Sequence, residues 1–189
     1  MRRLKPPFGS PRLYLFSDPI RLPDPRAAME RLPPGAVVVA RSLAPAMLRD
    51  VAAQARRRRL ILLVAGDGRL ALRFAAGLHL PDRRMATGLL PFLLARHRRR
   101  SLMLTVAAHG WAGLARGRRL RADAVVLSPI FATLSHPGAK PLGASRWAAL
   151  AARAGRRPVV ALGGIGPHSV SRVPRRAGGL AAIGGLAAL

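Results

Sequence analysis

The chain has 189 residues, half of them hydrophobic, enough for one domain with a sizeable core and too few for two. It carries 33 Lys and Arg against 7 Asp and Glu, a formal charge of +26, and no cysteine. Disulfides and thiolate metal sites are thereby excluded. No apolar run approaches the roughly 18 residues of a membrane span, and the start, Met1-Arg2-Arg3-Leu4-Lys5, lacks the apolar stretch of a secretory signal.

These features lead us to expect a cytoplasmic protein without a membrane partner. Residues 1–11 read as a basic tail and residues 12–189 as a single domain. Short apolar runs at 12–17, 36–41, 60–65, 78–80, 102–106, 124–128, 159–162 and 180–183 read as strands. Between them, amphipathic stretches at 45–58, 68–75, 89–98, 111–116, 145–153 and 167–175 read as helices. Pro167 stands where proline opens a helix, and Gly35, Gly77 and Gly179 stand where glycine closes one.

The strand runs are continuously apolar rather than alternating, so both of their faces are buried, as in a parallel sheet. Eight strand–helix units in series predict a compact (β/α)8 TIM barrel, with a doubly wound open sheet as the competing arrangement. The chain stops soon after the eighth strand, so the last helix is expected to be truncated or absent. A homo-oligomer stays open.

The basic residues come in runs: Arg56 to Arg59, Arg96-His97-Arg98-Arg99-Arg100, and Arg116 to Arg121. Each run closes an expected helix, where cations favour the negative end of the dipole. They read as solvated helix ends. Nucleic-acid binding is the less favoured reading, since neither aromatic–basic interleaving nor zinc-finger spacing accompanies them. Small anionic substrates would be drawn by the same field.

In such a barrel, chemistry belongs where the strands end. Asp18, Asp67, Asp82 and His109 all fall there, although acidic residues are scarce. His109 is the candidate acid–base group, because an imidazole titrates near neutrality. His79 lies inside an apolar run and reads as a core residue, while His97 and His168 read as surface residues. After the sixth strand, Thr133 and Ser135 place two hydroxyls at alternate positions, followed by His136. Gly163-Gly164 after the seventh strand and Gly184-Gly185 after the eighth could form a phosphate cradle, the usual place in this architecture. Asp67 and Asp82 could equally be helix N-caps.

Five segments carry a family resemblance. Ser128-Pro129-Ile130-Phe131-Ala132-Thr133-Leu134-Ser135-His136, Ala161-Leu162-Gly163-Gly164-Ile165, Leu13-Tyr14-Leu15-Phe16-Ser17-Asp18, Gly77-Leu78-His79-Leu80 and Ala107-Ala108-His109 stand in the family's order and spacing. Together they resemble the thiamine phosphate synthase/TenI family over almost the whole chain from Arg12. The resemblance implies a barrel that couples a pyrimidine diphosphate to a thiazole phosphate with Mg²⁺, giving thiamine phosphate and pyrophosphate. On this reading Arg41 and His136 neutralise the leaving pyrophosphate, and Thr133, Ser135, Gly163, Gly164, Gly184 and Gly185 hold the thiazole phosphate. TenI-like relatives instead isomerise the thiazole, which would make His109 the proton shuttle; a non-catalytic barrel binding thiamine phosphates is the third reading.

The sequence also departs from the family. Arg69 stands at one metal aspartate's position and Arg83 or Arg84 at the other, and His136 replaces a lysine. Asp67 and Asp82, close by, are then the candidate Mg²⁺ ligands, since that ion needs only one or two carboxylates beside substrate phosphates.

Overall fold

Eight runs of branched and small apolar residues form the strands of a computed structural model that describes residues 12–82, 86–99, 101–133, 138 and 140–183. They are β1 Leu13–Phe16, β2 Val37–Ala40, β3 Ile61–Ala65, β4 Gly77–Leu80, β5 Leu104–Ala108, β6 Ala124–Leu127, β7 Val159–Leu162 and β8 Gly179–Ala182. Every neighbouring pair is parallel and in chain order. Leu13 of β1 pairs with Leu180 of β8, and the sheet closes on itself. This is the expected (β/α)8 barrel.

Closure explains the continuous apolar runs. In β2, Val37 and Val39 point into the barrel beside Tyr14, Phe16 and Leu63, whereas Val38 and Ala40 face the helices, and all four are buried. One inward position in each of β4 and β5 is polar instead: His79 and Thr105 are buried and bonded to each other, Nδ1 to Oγ1, at 2.8 Å. The edge of the His79 ring meets the Phe16 ring, with centroids 5.2 Å apart.

The helices are α1 Arg26–Met29, α2 Pro45–Arg57, α3 Gly68–Arg73, α4 Leu89–Arg98, α5 Trp111–Arg119 and α6 Gly143–Ala152. In α2, Leu48, Val51, Ala52 and Ala55 recur at helical spacing, so one apolar stripe covers the barrel. Pro45 opens that helix at a position where its missing N–H costs nothing. Trp147 of α6 is fully buried, and its indole N–H donates to the Leu127 carbonyl at 3.0 Å.

Three expectations need correction. The helix predicted over 167–175 is only a 3-10 turn, Val170–Arg172. The Ser169 hydroxyl donates to the Gly164 carbonyl at 2.7 Å and accepts from the Gly166 N–H at 3.0 Å, bonds that compete with a helical turn. The fifth strand begins at Leu104, not Leu102, because the Leu102 N–H turns back to the Arg99 carbonyl. Of the glycines expected to close helices, Gly35 has a positive φ of 83°, whereas Gly77 and Gly179 are the first residues of β4 and β8. Arg59, Ala75 and Arg121 hold the left-handed positions, with φ of 56°, 51° and 50°. The basic tail expected over 1–11 and the final helix, expected to be absent or only a stub over 185–189, lie outside the described residues.

Candidate active site

The mouth of the barrel, where the strands end, brings together Asp18, Arg41, Asp82 and His109. Asp18 follows β1 and Arg41 follows β2, and their side chains meet at 3.5 Å. Burial tends to raise the Asp18 carboxyl, but the N–H groups of Arg21 and Ile20 and the Arg41 guanidinium outweigh it and hold it below the ordinary range. Below them, burial first, and then the charges of Arg41 and Arg116, push the His79 imidazole down to about 3. His79 is therefore a neutral interior group, as expected from its place in an apolar run.

His109, directly after β5, is anchored at one nitrogen. Its Nδ1 lies 2.9 Å from the Ser128 carbonyl oxygen, which can only accept, so Nδ1 carries the proton. The other nitrogen, Nε2, lies 3.9 Å from Asp82 Oδ2. Arg116 fixes the end of β4 that carries Asp82, donating to the carbonyls of Pro81 at 2.7 Å and Asp82 at 3.2 Å. Arg116 is thus not the solvated helix end its run suggested.

Asp67 and Asp82 have different roles in the structure. Asp67 is the N-cap of α3: its Oδ1 accepts from the Leu70 N–H at 2.9 Å. Asp82 faces His109. Arg69 lies in the first turn of α3, and Arg83 and Arg84 lie outside the described residues. Among the described residues, no group of three or more His, Asp or Glu side chains could hold a metal. The two carboxylates are thus differently engaged, Asp67 through Oδ1 in a helix cap and Asp82 beside an imidazole.

The Gly163-Gly164 turn is stitched to the connection after β6. Ile130 and Phe131 donate to the carbonyls of Leu162 and Gly163 at 2.9 and 3.1 Å. Both glycines have positive φ, 102° and 64°, and a Cβ on Gly164 would stand 2.2 Å from the Ala132 carbonyl oxygen. Their N–H groups donate to no described residue. The shortened helix removes the dipole expected there, so a phosphate at this turn would rely on backbone N–H groups alone. Thr133 lies in the β6–α6 connection, and Ser135, His136, Gly184 and Gly185 lie outside the described residues.

The two roles of this turn can be separated. Gly164→Ala is expected to destabilise the protein by about 3 kcal/mol in denaturant unfolding, through the carbonyl clash and the strained φ. Gly166, by contrast, faces open space. Gly166→Asp is expected to remain folded while thiazole phosphate binding, measured by calorimetry, weakens on the order of tenfold through like-charge repulsion. Unchanged affinity would remove this turn from the site.

The profile of the thiamine monophosphate synthase family matches residues 40–186. The chain belongs to that family. No curated protein matches it significantly. Among solved structures it is similar to the thiamine phosphate pyrophosphorylase from Pyrococcus furiosus, with a TM-score of 0.71 and 21% identity over 92% of this chain and 85% of that one. It is also similar to the 2-keto-3-deoxy-6-phosphogluconate aldolase of Zymomonas mobilis, solved with 3-phosphoglycerate, with a TM-score of 0.61 and 13% identity over 91% and 80%. At these identities the likeness is one of fold. Within the family's barrel, sequence reasoning singled out His109 and Asp82 separately but not their pairing. It also missed the Asp18–Arg41 pair, whose signal was a charged residue at the end of each of two adjacent strands.

Proposed function

We propose that this member of the thiamine monophosphate synthase family acts in thiamine biosynthesis on a thiazole phosphate, isomerising the ring by proton transfer through His109. The observation that carries the reading is the His109 geometry: Nδ1–H held by the Ser128 carbonyl and Nε2 turned toward Asp82. Nε2 takes a proton from a ring-system carbon, the electron pair shifts within the thiazole, and the same proton returns at a second position. No atom is gained or lost. The Asp82 carboxylate stabilises the imidazolium that exists between the two transfers. The Gly163-Gly164 N–H groups would hold the phosphate and fix the ring against the imidazole.

Coupling of thiazole phosphate with a pyrimidine diphosphate is the second reading, supported by Arg41 at the mouth, where a pyrophosphate leaving group would need a cation. It ranks second because Asp67 caps a helix and Arg69 occupies a carboxylate's position. The deciding assay supplies purified protein with thiazole phosphate isomers alone, and with pyrimidine diphosphate added, each with and without EDTA. Isomer interconversion insensitive to EDTA supports the first reading; thiamine phosphate formed only with Mg²⁺ would replace it by the second.

A further inference from the structure

The barrel's topology decides where the arginines go. All strands are parallel, so each helix runs back from the mouth, and every helix C-terminus and helix-to-strand connection lies on the opposite face. Basic stretches that are scattered in the sequence, at 56–59, 118–121, 156–157 and 175–176, therefore gather on one side. Of the seven carboxylates, only Glu30 and Asp123 belong to this face, and each is already held, by Arg58 at 2.8 Å and Arg96 at 2.9 Å. A cleft of about 700 Å³ opens there between the starts of β1, β7 and β8. Arg12, Arg156, Arg157, Arg175 and Arg176 line it, with no acidic residue. None of the five makes an ion pair with a described carboxylate.

The fold itself does not call for these cations. A helix end is served by one or two of them, and Arg175 and Arg176 follow a three-residue 3-10 turn that has little dipole to compensate. Arg59 and Arg121 hold left-handed positions that favour glycine, against a backbone cost of about 1 kcal/mol each. Guanidinium groups crowded without counter-charge repel one another, and a polyanion reverses the sign of that interaction. The planar fork of arginine suits phosphate oxygens in pairs.

The extent of the surface selects the ligand. A small phosphate compound would occupy the cleft and leave the exposed arginines at 56, 57, 59, 118, 119 and 121 without a ligand. A lipid surface would be met by apolar anchors, but among the described residues the large exposed hydrophobics lie elsewhere: Ile20 and Trp111 at the mouth, Leu90 and Leu94 on α4. The cleft has no aromatic side chain to stack on a base, so recognition would stay with the backbone. We infer that the face opposite the mouth is a docking surface for the phosphodiester backbone of nucleic acid, centred on the arginine-lined cleft and indifferent to base sequence. The gathering of the runs on one face reverses the weight that the sequence alone gave to solvated helix ends.

The test separates location from mere net charge. Labelled RNA and DNA duplexes of two unrelated sequences are titrated by anisotropy over a salt series with wild type, with Arg156→Gln/Arg176→Gln, and with Arg49→Gln/Arg146→Gln. The last pair is exposed on other parts of α2 and α6 and removes the same charge. The cleft pair should weaken binding by about tenfold or more and lower the salt slope by about two units, and the control pair by less than about twofold. Equal losses from the two pairs, or no duplex binding at moderate salt, would overturn the inference in favour of diffuse attraction. Inorganic triphosphate binding at the cleft as tightly as duplex would overturn it in favour of a small-anion site. Capture by phosphatidylserine vesicles but not by duplex would overturn it in favour of a membrane. Similar affinity for the two sequences supports it, and the RNA and DNA arms identify the source of the backbone. Hydrogen-exchange protection by duplex in wild type should fall at residues 153–158 and 174–178, which keeps the test decisive should a variant fail to fold.

Discussion

Replacing His109 by Ala is expected to lower thiazole phosphate isomerisation by about 10²-fold or more, the usual contribution of a positioned general base. In the proposed transfer the Ser128 carbonyl holds the Nδ1 side of the ring and leaves Nε2 to act as the base, so Gln at 109 should rescue little. Asp82→Asn should cost less, about tenfold, because it removes stabilisation of the imidazolium and leaves the base in place. EDTA should be silent throughout. If the coupling reaction is the true one, the pattern inverts: Mg²⁺ is required, and Asp67→Ala and Asp82→Ala abolish product. Asp67→Ala also removes a helix cap worth about 1 kcal/mol, so its melting temperature must be measured beside its rate. Loss of isomerisation in the Asp variants but not in His109→Ala would sink the proton-transfer reading.

The second large effect is on stability. His79 is neutral in the folded barrel, with its imidazole pushed down to about 3, whereas the unfolded chain titrates it near 6.5. The unfolded state therefore binds more protons between those values. Stability from this group is fully present above about pH 6.5 and falls with acidification by about 1.4 kcal/mol per pH unit until the folded value is reached. Asp18 and Asp24, both held below the ordinary carboxyl range, add to the loss at the acid end. A His79→Gln variant can keep a hydrogen bond to Thr105 but has nothing to titrate. Denaturant unfolding of the two proteins from pH 7 to pH 4 should give a stability difference that shrinks, or reverses, as pH falls. A constant difference would show that His79 is not buried neutral.

Most of the fold was legible in the sequence because closure buries both faces of every strand. Runs such as Val37–Ala40 and Ala124–Leu127 are apolar without alternation, and their spacing along the chain is that of strand–helix units. What was not legible depended on short-range competition. The four-residue α1 lies among prolines and has no amphipathic repeat, although Ala28 and Met29 reach the core. The Ser169 hydroxyl removed a helix that the pattern of residues 167–175 supports. At the site, the end positions of the strands pointed to Asp18, Arg41, Asp82 and His109 one by one. Which of them touch depends on distances between different strands, and periodicity says nothing about those. The Arg116 side chain shows the same limit: placed by sequence at a helix end, it reaches the end of β4.

The pairing of β1 with β8 has a kinetic side. Leu13 meets Leu180 across nearly the entire chain, so of the eight ladders this one has the greatest loop entropy against it. Until it forms, β1 and β8 each present an unpaired edge of backbone donors and acceptors, which is a template for another chain in the same condition. The strong positive charge then acts before the native state exists, since mutual repulsion keeps half-closed chains apart. Folding in the presence of polyanions that neutralise this charge would expose those edges to each other, and aggregation during refolding should be governed by counter-charge as much as by temperature.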